Sequence, residues 1–124
     1  MAEGFARAYG GDVMIASSAG LWPAGTVAPD TIWSMQEKNI DIRSHFPKSY
    51  QVLAGNGFDV IVNMSGYDLP KLDGTPRSIP IVDWKVQDPI GLDRNVYRGV
   101  RDQIEDLVMH LILDFRRKRK KSNP

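Results

Sequence analysis

The chain has 124 residues, 42% of them hydrophobic and 25% charged, and a formal net charge of +1. Those values describe one ordinary globular domain, and no apolar run reaches the roughly 20 residues that a membrane-spanning helix needs. There is no cysteine, which excludes disulfides, thiolate metal sites and any thiol nucleophile within this chain.

Residues 2–9 read as a helix with Phe5 and Tyr9 four apart on one face, broken by Gly10-Gly11. Residues 13–17, Val-Met-Ile-Ala-Ser, form a short apolar run expected to be a strand buried on both faces. A loop follows, and Pro29 suits the first turn of a helix continuing through Ile32 and Met35 to about Lys38. A further helix is expected to start at Pro47 and carry Tyr50 and Leu53, ending at Gly55-Asn-Gly57. Residues 58–64 are the best strand in the chain, and residues 79–86 a second, with Pro80 suggesting a sheet edge. From about Asp93 onward Val100, Ile104, Leu107, Val108, Leu111, Ile112 and Phe115 make one helical apolar stripe. Strands alternating with helices imply an α/β domain with a parallel sheet. The domain is expected to span residues 1–115, and residues 116–124 to form a basic tail able to fray.

Several short motifs share an order along the chain. They are Met1-Ala-Glu-Gly, Ser17-Ser-Ala-Gly-Leu21, Pro29 within its helix, Asn39-Ile-Asp-Ile-Arg-Ser-His45, the strand at 58–64, and Val86-Gln-Asp-Pro89. In that order they resemble the low-molecular-weight protein tyrosine phosphatases and the related thioredoxin-coupled arsenate reductases. Asn39 stands where the family commonly has glycine, and Arg43 where it has serine. The resemblance implies a flavodoxin-like parallel sheet with helices on both faces and a ligand site at the strand carboxyl ends. It also implies a cysteine nucleophile in a loop of pattern Cys-x-x-x-x-x-Arg-Ser-Pro, placed after a first strand and just before Met-Ala-Glu-Gly. This chain begins at the latter motif, so it is expected to lack the first strand and the phosphate-binding loop.

The one catalytic position that the resemblance carries over is Asp88, as the equivalent of the acid that protonates the leaving oxygen. To act so, its pKa must be raised by burial or by a nearby anion; the bland alternative is a turn aspartate. Trp22 could line a pocket mouth for substrate, or pack under its own loop. Ser17, Ser18 and Ser65 lie near strand ends, but a serine nucleophile needs an adjacent base, and only His45 and His110 exist. His45 is expected as a surface or packing residue and His110 as a solvated helix residue. Two histidines without clustered carboxylates make no dedicated metal site, and no cofactor is expected.

The expected function is therefore that of a phosphatase-like protein, inactive in this form because the thiol is absent. The alternatives are an arsenate-reductase-like protein, inactive for the same reason, and a non-enzymatic interaction domain. Phosphate or another oxyanion should be held weakly if at all. Arg116, Arg117, Lys118, Arg119, Lys120 and Lys121 are consecutive cations, leaving ten basic against 15 acidic residues elsewhere. At a helix carboxyl end they favour the dipole, and no aromatic residue interleaves them to stack on bases. Neither nucleic acid nor a membrane is the expected partner. Cytoplasm is the expected compartment, in the absence of an export signal. Without a first strand, residues 13–17 and 58–64 must pair directly or borrow an element from a second copy. The homodimer is the expected solution, because direct closure would displace the helices.

Overall fold

The computed structural model describes residues 1–20, 27–49, 57–69 and 79–122. The elements in order are helix α1 (Ala2–Gly10), helix α2 (Pro29–Gln36), strand β1 (Ile61–Asn63), strand β2 (Ile81–Asp83) and helix α3 (Arg94–Ser122). β1 and β2 pair in parallel, with Ile61 opposite Ile81 and Asn63 opposite Asp83. The expected strands are thus present at their centres but only three residues long.

α3 carries the core. Its inward stripe, Val100, Ile104, Val108 and Ile112, repeats every four residues and meets Phe5 of α1 and Met35 of α2. That spacing is one face of a helix, and Phe5, Met35 and Ile112 are fully buried. Asp93 starts the helix by accepting the Val96 amide at 3.1 Å, satisfying a donor that has no partner within the helix.

The α2–α3 seam is polar. Buried Arg101 donates to the Ser34 carbonyl at 3.1 Å and to Glu37 at 2.6 Å. Arg98 adds a second fork to Glu37 at 2.8 and 3.0 Å. Hydrogen bonds from Arg98 and then Arg101 bring the Glu37 pKa down to about 2. Arg94 and Arg98 lie over the Trp33 ring at 4.3 and 5.0 Å. α2 ends in a reversed turn in which the Ile40 amide donates to the Met35 carbonyl and the Asn39 amide to that of Gln36. Asn39 has φ 59° there, the left-handed region that glycine and asparagine tolerate best. Asn39 thus takes a conformation that suits the position where the resemblance implies glycine.

Two expectations are corrected. Residues 13–17 form no strand: Val13 lies in a turn and residues 14–19 are irregular. Among the described residues no ladder partner runs alongside them, and Ile15 is 99% exposed. Residues 47–49 are not helical; Ser49 instead forms an isolated parallel bridge with Gly20, and Tyr50 and Leu53 lie outside the described residues. Residues from Arg116 are helical, α3 continuing to Ser122. Arg116 grips both carboxylate oxygens of Asp12 at 3.0 Å, and Arg119 donates to the Asp12 carbonyl at 3.0 Å.

Where α1 ends it runs against α3. A Cβ placed on Gly10 would come within 2.8 Å of the Ile112 side chain. Helix propensity alone favours alanine over glycine by about 1 kcal/mol, but here the added methyl collides with a fully buried side chain. Gly10→Ala is expected to destabilise the fold by about 1–3 kcal/mol. Adding Ile112→Val should recover part of that loss, and thermal unfolding of the single and double variants measures both.

Candidate functional site

A cleft of about 1380 Å³ opens at the carboxyl ends of β1 and β2. Its floor includes the start of α1, and its walls include Met64 and Ser65 after β1, the segment from Trp84 to Ile90 after β2, and Val100 and Ile104 of α3. This is where a parallel α/β sheet places its ligands.

Asn63 organises one wall. It is buried, and its amide donates to the Tyr67 carbonyl at 2.7 Å and to Asp83 at 2.8 Å. Its side-chain oxygen accepts from the Ser65 amide at 3.0 Å and from the Ser65 hydroxyl at 2.6 Å. One residue thereby ties both strands to the turn at Gly66, whose φ is +79°.

Asp88 lines the cleft. It is exposed, and its Oδ1 accepts the Ile90 amide at 3.0 Å, closing a turn over Pro89. The structure gives its carboxyl no burial. Ser18 and Ser65 line the same cleft, but both hydroxyls are committed, Ser18 to Glu3 at 2.8 Å and Ser65 to Asn63. Neither meets a histidine. His45 instead approaches Glu3 at 3.4 Å, and His110 is exposed with Nδ1 at 2.7 Å from the Asp106 carbonyl. Trp22 lies outside the described residues. Among the described residues no three His, Cys, Asp or Glu side chains form a metal-ligating group.

The residue that sequence reasoning passed over is Glu3. Its side chain is 6% exposed, and Arg7 at 3.1 Å, His45 at 3.4 Å and Lys48 at 3.6 Å converge on it. Burial pushes its pKa up, but the Ser18 hydrogen bond and the charges of Lys48, Arg7 and His45 outweigh that, and the net direction is down. Only the i,i+4 pairing with Arg7 was visible in the sequence; the other partners come from residues distant along the chain.

Four carboxylates, Glu3, Asp68, Asp83 and Asp88, line the cleft with two amines, Lys85 and the Met1 α-amino group, among the described residues. Glu3 is itself met by Arg7, His45 and Lys48, so the lining is of mixed charge.

The family model described as low molecular weight phosphotyrosine protein phosphatase matches residues 1–121. The chain belongs to that family. It is 32% identical over 114 residues to the glutaredoxin arsenate reductase of Synechocystis sp., covering 90% of this chain and 85% of that relative. Among solved structures, an arsenate reductase in its oxidized state superposes with a TM-score of 0.81 at 29% identity, over 92% of this chain and 86% of that one. The arsenate reductase of Archaeoglobus fulgidus gives 0.75 at 25% identity, over 90% and 86%. The fold is thus the flavodoxin-like α/β fold of this family, with a parallel sheet and packed helices. No helix of the described residues is long and apolar enough to cross a membrane.

The carboxylates of Glu3 and Glu37 both titrate below their ordinary value of 4.5. A depressed carboxylate pKa stabilises the fold above the unfolded-state value and loses that contribution as pH falls through the folded value. The contribution of these two carboxylates is therefore expected to be level above about pH 5 and to fall from about pH 4.5 toward pH 2. Glu3→Gln should lower Tm at neutral pH and make the acid limb shallower, as followed by circular dichroism across the pH series.

Proposed function

We propose that this chain is a non-catalytic member of its family, in which the cleft persists without phosphoryl or arsenate chemistry. The observation that carries the reading is the complete absence of cysteine from 124 residues. The family's chemistry, as the resemblance implies it, starts with a thiolate attacking phosphorus or arsenic. The committed hydroxyls of Ser18 and Ser65 support it further, since they supply no substitute nucleophile.

Asp88 fits the position of the acid equivalent. It stands just before Pro89, in the segment that leaves β2, with its main chain turned over Pro89. In the parent reaction an acid there would give its proton to the leaving oxygen as the bond to phosphorus breaks. With no thiolate there is no leaving group for it to serve.

Two parent chemistries have support. The family model is named for phosphotyrosine phosphatases, and the relatives named above are arsenate reductases. Ile90 and Gly91 follow Asp88-Pro89, where family members that grip aromatic substrates often carry tyrosines, and this favours the arsenate side. Arsenate reduction as the resemblance describes it ends in a disulfide passed to a reductant, which a chain without cysteine cannot form.

The test is a pair of assays on the purified chain, one with an aryl phosphate and one with arsenate plus a thioredoxin or glutaredoxin system. No turnover above the protein-free blank is expected, because losing a coupled nucleophile typically costs about 10⁶-fold in rate. Asp88→Ala should be indistinguishable from the parent. Turnover that follows the protein through further purification and disappears in Asp88→Ala would overturn the reading.

A further inference from the structure

We propose that two copies of this chain close each other's clefts, the Ile15-bearing segment of each lying along the free edge of β1 in the other. The first ground is the direction of the β1 main chain. The Ile61 amide donates to the Pro80 carbonyl, and the Asn63 carbonyl accepts the Trp84 amide. Residues 61 and 63 therefore face β2. Alternation along a strand turns the amide and carbonyl of Val62, between them, to the opposite side. That side has no strand among the described residues.

The second ground is the segment after α1. Ile15 is 99% exposed, a β-branched residue in an apolar run held fully in water. Among the described residues the main chains of Ile15 and Ser17 make no hydrogen bond, while the Ala16 and Ser18 carbonyls are held by Arg7 and Lys48. One chain thus presents a free strand edge and, apart from it, an apolar segment with open main-chain groups. That pairing is self-complementary, and a two-fold axis satisfies both halves at once.

A second copy is the occupant that accounts for both open features, whereas a foreign peptide would fill the cleft and leave Ile15 in water.

Sedimentation velocity and light scattering across a micromolar dilution series read the state directly. A reversible dimer is expected. Ile15→Lys changes a side chain that touches nothing in the single chain, so its fold should be intact. Its dimer dissociation constant should rise at least tenfold. Val62→Pro removes an amide that faces away from β2, a position where a strand tolerates proline, and should also give folded monomer. Circular dichroism reports folding of each variant, and Ile15→Lys decides alone if Val62→Pro does not fold. A folded monomer at micromolar concentration overturns the proposal, as does an open-ended oligomer. A dimer indifferent to Ile15→Lys places the contact on another face and overturns it equally. None of these outcomes bears on the turnover assays, so the two readings fail separately.

Discussion

The seam between α3 and the two helices beside it is the interaction on which the rest depends. A sheet of two three-residue strands supplies few ladder hydrogen bonds, and isolated small sheets are marginal in water. Burial must then come from helices, and α3 provides a stripe that α1 meets through Phe5 and α2 through Met35. The two contacts are of different kinds. Against α1 the fit is steric, with Ile112 filling the space that a side chain at position 10 would need. Against α2 it is ionic, with Arg98 and Arg101 sharing Glu37.

That division explains why the sheet can stay open without the domain collapsing. β1 and β2 are placed through the segments that flank them, with Met64, Trp84 and Val86 packed against the helical core. The cleft forms where the strands end, over Val100 and Ile104 of α3. Chemistry at such an edge depends on what the loops bring. Here they bring carboxylates and committed hydroxyls, which is the physical content of a family fold without the family's nucleophile.

What was legible in the sequence follows the range of the forces involved. The three helices were readable because their signals are local: Pro29 at a helix start, Gly10-Gly11 at an end, and a four-residue repeat in α3. Asn39 was noted only as a departure from glycine, and its positive φ gives the reason. Residues 13–17 misled because apolar, β-branched composition reports a wish to be buried, while strand formation requires a neighbour supplied from elsewhere. The Glu3 cluster was hidden for a like reason: Ser18, His45 and Lys48 approach it only after folding. Asp88 was found through a motif and not through its own environment, which is exposed and offers no independent sign of a catalytic acid.

The clasp on Asp12 changes the meaning of the cationic run at the end of α3. Six consecutive basic residues suggest a brush of positive charge, but a helix distributes consecutive residues around its circumference. Arg116 and Arg119, three apart, turn onto one carboxylate beside the end of α1, while Arg117 leans toward Asp114. The run therefore acts partly as a buckle fastening the far end of the longest helix to the turn that follows the first. A polyanion arriving there would meet a charge density nearer to that of an ordinary helix surface than to that of a flexible basic tail. Releasing the buckle, by high salt or by loss of Asp12, would be felt first as a loosening of α1 and only afterwards as a change in surface charge.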